Sequence, residues 1–368
     1  MDYAFTAEQD QFRDVLARFL GDKSPATEIR KLMETDTGYD PEVWQQVCGD
    51  MGLAGLHLPE DFGGAGYGPV ELGVVMEEQG RALLCAPYLS SAVMAGQAIA
   101  MAGTDDQKAA LLPGIADGSV IATLAVTETQ GVWSEDDVQL TATSSGDGFA
   151  LNGAKRFVAD GATAELIVVA GRTEKGVSLF TVAGEADGLM RSALPGMDPT
   201  RKIADLTFDN TPAQLLGEEG AAPLQDIYNA VLIAFAHEQI GGAQAMLDSA
   251  VEYAKLRVQF GRTIGSFQGL KHWFADLKVA IELAKAAAYQ AAQHLADGED
   301  ATAFASMAKA ATSEAFLNAA AACIQFHGGI GFTWENDTHL WFKRAKSSEV
   351  FLGTPAEHRE RMLRAMEV

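Results

Sequence analysis

The chain has 368 residues, more than one hydrophobic core of about 250–300 residues supports, so two or three subdomains are expected. Hydrophobic residues make up 48% and charged residues 21%, the balance of an ordinary globular protein. The 50 acidic against 27 basic side chains give a formal charge of −23, which argues against nucleic acid or an anionic membrane as a main partner.

Residues 1–119 read as a helical domain. Thr6 and Gln9 make a capping box, followed by Phe12, Val15, Leu16, Phe19 and Leu20 at helical spacing. Asp40 and Pro41 open a second helix as N-cap and first residue, with Trp44, Val47, Cys48 and Met51 along its face. Residues 58–69, LPEDFGGAGYGP, form a glycine-rich loop that lacks the Lys-Ser/Thr ending of a phosphate loop. Further helices are expected over 69–80 and 90–102, and Thr104 with Gln107 forms another capping box.

Between residues 120 and 215 the hydrophobic period changes to two. Strands are expected over 121–126, 138–143, 149–158, 166–170, 177–182 and 204–208, with an SGDG turn at 145–148, as in a small barrel or sandwich. From 216 to 368 the chain is helical again. Long Ala/Leu-rich segments at 222–257, 267–295 and 302–326, joined by short loops, predict an antiparallel four-helix bundle. The fold class is therefore mainly α with a β insert. No alternating βαβ pattern and no GxGxxG appear, so a Rossmann domain is not expected.

Cys48, Cys85 and Cys323 are far apart without a CxxC pair, and the seven histidines show neither HxxxH nor HExxH spacing, so no metal site is expected. The N-terminal MDYAFTAEQD has no basic region or apolar core, and the apolar run at 230–236 is far short of a membrane span. A cytoplasmic protein is the expectation.

Two stretches carry a family resemblance. Residues 253–268, YAKLRVQFGRTIGSFQ, resemble the YAxxRxQFGxPIGxFQ signature of acyl-CoA dehydrogenases, and residues 325–354, QFHGGIGF to FLGT, resemble that family's QxxGGxGF…YEGT segment. The LPEDFGGAG loop, Thr127-Glu128 and the LNGAK run at 151–155 add to the match, which covers nearly the whole chain. The resemblance implies a helical domain, a β-domain and a four-helix bundle, with FAD held where they meet. It implies removal of an acyl-CoA α-proton by a carboxylate while the β-hydride passes to the flavin, an electron-transfer flavoprotein as acceptor, and a dimer or tetramer. Such a reaction needs a positioned base and hydrogen bonds to the developing enolate.

Transferred residue by residue, the resemblance assigns Arg257, Phe260, Gln268, Gln325, Gly328 and Gly329 to the adenosine and pyrophosphate of a neighbouring subunit's FAD. It assigns Thr127 and Phe157 to the flavin ring of the same subunit, and Thr354 closes the last motif. His327 is either a cofactor contact or a satisfied core histidine. Around the ring the pattern has drifted: Trp133 stands in a serine position, and Phe157-Val158-Ala159 replaces Trp-Ile-Thr. The catalytic glutamate is missing at both positions the family uses, which here hold Leu352 and Val231. Glu238, two helical turns after Val231, is the candidate substitute, with pairing to Arg or Lys as its structural alternative. Three functions follow: a dehydrogenase with a displaced base, a non-catalytic subunit paired with a paralogous chain, or a flavin monooxygenase of the same fold. The TWENDTHLWFKR run at 333–344 resembles steroid-type members and suggests a bulky acyl group.

Overall fold

A computed structural model describes residues 5–129 and 133–367. Among the described residues six α-helices come first: α1 (Ala7–Lys23), α2 (Ala26–Leu32), α3 (Pro41–Gln45), α4 (Pro69–Ala82), α5 (Gly96–Ala102) and α6 (Asp105–Ala116). The strands β1 (Ala122–Ala125), β2 (Thr141–Ser145), β3 (Gly148–Ala159), β4 (Leu166–Thr173), β5 (Gly176–Ala183), β6 (Leu189–Ala193) and β7 (Ile203–Leu216) follow. Then come α7 (Leu224–Leu256), the short hairpin β8 (Val258–Gln259) and β9 (Arg262–Thr263), α8 (Gln268–Ala296), α9 (Thr302–His327), α10 (Thr338–Val350) and α11 (Pro355–Ala365).

Local chemistry accounts for many of these boundaries. Both expected capping boxes, Thr6 with Gln9 and Thr104 with Gln107, are formed, and a third joins Thr354 to Glu357 at the start of α11. The Asp40 side chain accepts hydrogen bonds from the Glu42 and Val43 amides to start α3. The helix expected over 90–102 opens instead as a π-helical turn, Leu89–Ala95, before α5. The short α2 carries one buried side chain, Ile29, too little pattern to announce itself.

The chain divides into two compact units, one comprising Lys31–Gly68 and Cys85–Val231, the other Met1–Arg30, Pro69–Leu84 and Leu232–Val368. In the first, strand order β4–β2–β3–β7–β5 closes back on β4, so the β-domain is a barrel, with β1 added on β4 and β6 on β7. The turn at 145–148 sets Ser145 opposite Gly148, as its sequence requires. Leu151, Ile167, Val169, Phe180, Leu206 and Phe208 fill the interior. Strand β6 escaped the sequence reading because none of its side chains is buried, which leaves no period-two pattern. Strand β7 runs well past the expected 208, through Asp-Asn-Thr-Pro residues that interrupt the apolar alternation.

In the second unit α7 to α10 share a core of Ile240, Leu247, Leu277, Ile281, Phe316, Cys323 and Ala345. Helix α4 packs directly on α7. A Cβ added at Gly80 would lie 1.9 Å from the Glu238 carbonyl oxygen, and one at Gly241 would lie 1.8 Å from that of Glu77, so the two glycines admit each other's backbone. Helix α1 is tied in through charge. Arg13 pairs with Glu77 (3.1 Å) and Glu78 (2.9 Å), while Lys285 (2.6 Å) and the Tyr289 hydroxyl (2.8 Å) also reach Glu77. Burial works against the Glu77 charge, but Lys285 and Arg13 hold its carboxyl below the ordinary value. The three cysteines are buried free thiols, and no helix of the described residues is long and apolar enough to cross a membrane.

Candidate functional site

Ring contacts gather one set of motif residues at one end of the bundle. Tyr253, near the end of α7, stacks on His327 at 4.2 Å, and Trp273 and Phe274, early in α8, pack against Phe326 at 4.7 and 4.4 Å. These stacks join the end of α7, the start of α8 and the end of α9. Arg257, Phe260, Gln268, Gln325, Gly328 and Gly329 all lie on those three ends, and all are exposed. Phe260 is 91% exposed and sits at φ +53°, followed by Gly261 at φ +77°, in the tight turn between β8 and β9. A phenylalanine held in left-handed backbone and bare to solvent costs free energy twice over. Behind it Arg262 lies 4.0 Å over the Phe267 ring. Gly328 ends α9 at φ +62° and ψ −141°, a conformation reserved for glycine, and a Cβ at Gly328 or Gly329 would meet nothing within 4 Å. His327 is buried and its Nδ1 lies 2.8 Å from the Cys323 carbonyl oxygen, the setting of a satisfied core histidine.

Position 352 is elsewhere. Lys309, in the first half of α9, donates to the Gly353 carbonyl at 3.0 Å, and about 24 Å of helix axis separates Lys309 from Gln325. Leu352 is 4% exposed, at φ +61°, in the turn between α10 and α11. That turn is clamped through its main chain. Lys309 Nζ also donates to the Ser348 (3.1 Å) and Glu349 (3.3 Å) carbonyls and to Ser313 Oγ (2.9 Å). Gln239 donates to the Ser348 carbonyl at 3.3 Å, and His358 Nε2 lies 2.7 Å from the Leu352 carbonyl. Phe351 packs edge-on against Phe235 at 5.6 Å. Lys309 is fully buried, and burial pushes its ammonium down to about 7. Burial likewise brings His358 down to about 4, so it is neutral near pH 7. Thr354 is engaged locally: its hydroxyl and amide both bond the Glu357 carboxylate at 2.7 Å.

Val231 is fully buried and apolar, as is Leu232 beside it. Glu238 is buried on the same helix and pairs with Arg344 of α10 at 3.3 Å. That is the geometry of a helix-joining ion pair. Lys309, Arg344 and His358 were not singled out from the sequence. The available clue was a lone cation in an otherwise apolar helical pattern, as in SMAKAA around Lys309.

The barrel unit holds the other assigned residues. Thr127 follows β1, its carbonyl accepting the Arg156 amide at 2.8 Å. Glu128 accepts from Lys155 at 2.7 Å and from the Gln139 and Leu140 amides at 2.9 Å. Lys155 is fully buried and also donates to the Val126 carbonyl at 3.0 Å; burial brings it down to about 8 against the pull of Glu128. The Thr127 hydroxyl accepts the Trp133 indole N–H at 3.0 Å. Phe157 occupies a β-bulge, where the β3–β7 register shifts between Lys155 and Val158. It has φ +53° and is 53% exposed, with its amide donating to Asp205 at 3.3 Å.

Known proteins match this chain over almost its entire length. The N-terminal domain model of the acyl-CoA dehydrogenases matches residues 6–119 and their C-terminal domain model residues 229–367. The acyl-CoA dehydrogenase IpdE2 of Mycobacterium tuberculosis is 36% identical over 353 residues, 95% of this chain and 94% of that protein. Among solved structures, a Tcur3481–Tcur3483 steroid ACAD variant is 31% identical, with 98% of each chain covered and a TM-score of 0.89. The ChsE4–ChsE5 complex of Mycobacterium tuberculosis is 25% identical, with 100% of this chain and 99% of that chain covered and a TM-score of 0.92. The chain belongs to the acyl-CoA dehydrogenase family, the FAD-binding oxidoreductases that act on the CH–CH bond of acyl-CoA thioesters.

Proposed function

We propose that this chain acts in α,β-dehydrogenation of an acyl-CoA as the base-free subunit of a heteromeric acyl-CoA dehydrogenase. The observation that carries the reading is Leu352, a buried leucine held in a clamped turn where the family's glutamate belongs. An apolar side chain cannot take the acyl α-proton, and Val231, the family's other position for the base, is equally apolar. Glu238 serves as the partner of Arg344, so a carboxylate from a paralogous subunit supplies the base.

The contribution of this chain is cofactor binding for its neighbour. The residues at the α7–α8–α9 end fit the adenosine and pyrophosphate of an FAD. Arg257 offers a guanidinium fork to phosphate oxygens, exposed Phe260 offers a stacking face, and the open surface at Gly328-Gly329 admits close approach of the ligand. FAD, when bound, supplies the hydride acceptor. An electron-transfer flavoprotein reoxidises it, and the run at 333–344, with the steroid ACAD likeness, favours a bulky acyl group.

The test is reconstitution. The purified chain alone is expected to be colourless and inactive, and to turn yellow and form enoyl-CoA when mixed with a glutamate-bearing paralogue. Enoyl-CoA formation by the homomer alone would refute the reading. Loss of that activity in Glu238→Gln would identify the displaced base instead.

A further inference from the structure

Thr127 is the one assigned ring-side residue that keeps the family's side chain, and its surroundings do not fit a flavin. The Trp133 indole N–H donates to the Thr127 hydroxyl at 3.0 Å, and its ring lies against Tyr228 at 5.1 Å between centroids, tilted by 31°. Trp133 is only 7% exposed, so the indole is packed in place. The Thr127 main chain is held in place on both sides. The Arg156 amide holds its carbonyl at 2.8 Å, and the residues on either side are tied to buried Lys155 through the Val126 carbonyl and the Glu128 carboxylate. A planar ring seated on Thr127 would have to take the space the indole fills. It would also strand a buried N–H donor without an acceptor.

We propose that Trp133 closes the flavin-ring side of this subunit's own barrel, so that the chain holds the adenosine end of its neighbour's FAD and no ring of its own. The inference rests on the base-free-subunit reading and gives it a physical cause: one residue, standing where the family has serine, decides which subunit hosts the ring. It places the exclusion in side-chain volume, and the hydrogen bond to Thr127 only orients that volume.

The experiment titrates the purified homomer with FAD and follows flavin fluorescence and retained visible absorbance. Trp133→Ser is expected to bind FAD about tenfold tighter or more than wild type. Trp133→Phe, which keeps a ring against Tyr228 but loses the donor, is expected to bind like wild type. If the serine variant does not fold, Trp133→Val keeps an apolar anchor and opens the same space, with the same expected gain. The proposal is overturned if the folded serine or valine variants bind FAD no tighter than wild type, or if wild type already carries an FAD on each chain. It is overturned too if Trp133→Phe gains as much as the smaller variants. Failure of this inference alone is recognisable, because wild type mixed with the paralogue would still turn yellow while the small variants stayed unchanged. Failure of the underlying reading shows as enoyl-CoA formation by the homomer alone.

Discussion

Replacing Lys309 with methionine should change how stability depends on pH. In the folded chain Lys309 is fully buried among the Ser348, Glu349 and Gly353 carbonyls and Ser313 Oγ. Burial lowers it from 10.5 to about 7, while Glu349 and Glu357 pull the other way. Between those two values the unfolded chain binds the proton more strongly than the folded one, so the Lys309 contribution makes stability rise with pH. Below pH 7 both states are protonated and the full penalty, about 5 kcal/mol, is present; by pH 10.5 it has vanished. Glu357, held below the ordinary carboxylate value by hydrogen bonds from Thr354, and His358, near 4, do not titrate in that window. Lys155, near 8, titrates there, and so do the Cys48 and Cys323 thiols once unfolding frees them from the burial that raises them, but in both proteins alike, so they cancel in a comparison. Urea unfolding of wild type and Lys309→Met at fixed protein concentration, at several pH values from about 7 to about 9, isolates the slope. Wild type should gain on the variant by about 1.4 kcal/mol per pH unit. A difference that stays flat across the window would refute the buried-cation argument.

Glycine 80 and 241 give a second expectation. Gly80→Ala or Gly241→Ala drives a methyl group into a main-chain carbonyl and should cost about 1–3 kcal/mol by thermal or urea melts. Glu238→Gln should lose a charged hydrogen bond to Arg344, about 1.5–3 kcal/mol of stability, without lowering turnover of the reconstituted heteromer; a large turnover loss would restore it as a base. Phe260→Gly should relieve left-handed strain and raise the stability of the isolated chain by about 1 kcal/mol. The same change should weaken FAD binding in the heteromer by about 1–3 kcal/mol of lost stacking on the adenine. Unchanged FAD affinity would remove Phe260 from the cofactor surface.

Much of the architecture was legible before any coordinates. Thr6 with Gln9, Thr104 with Gln107 and Asp40 with Pro41 mark helix starts because a cap is settled within three or four residues. The long helices follow from three Ala/Leu-rich segments, and all six expected strands overlap observed ones, four of them closely, because their buried apolar runs survive in the sequence. Strand β6, without a buried face, had no such trace, and β7 was cut short where polar residues interrupt it.

That positions 352 and 231 hold leucine and valine, which have no acid–base chemistry in any fold, was equally plain from residue identities. Tertiary structure decided what the remaining polar groups do. It set Arg344 against Glu238, sank Lys309 beneath Gly353, and turned the Trp133 indole onto the Thr127 hydroxyl. The first two pairings join residues from different elements, with Glu238 and Arg344 106 positions apart, whereas Trp133 meets Thr127 only six positions away. Periodicity and caps report only on near neighbours. Which distant donor meets which acceptor depends on how whole faces pack, and burial then makes each such meeting costly to leave unmade.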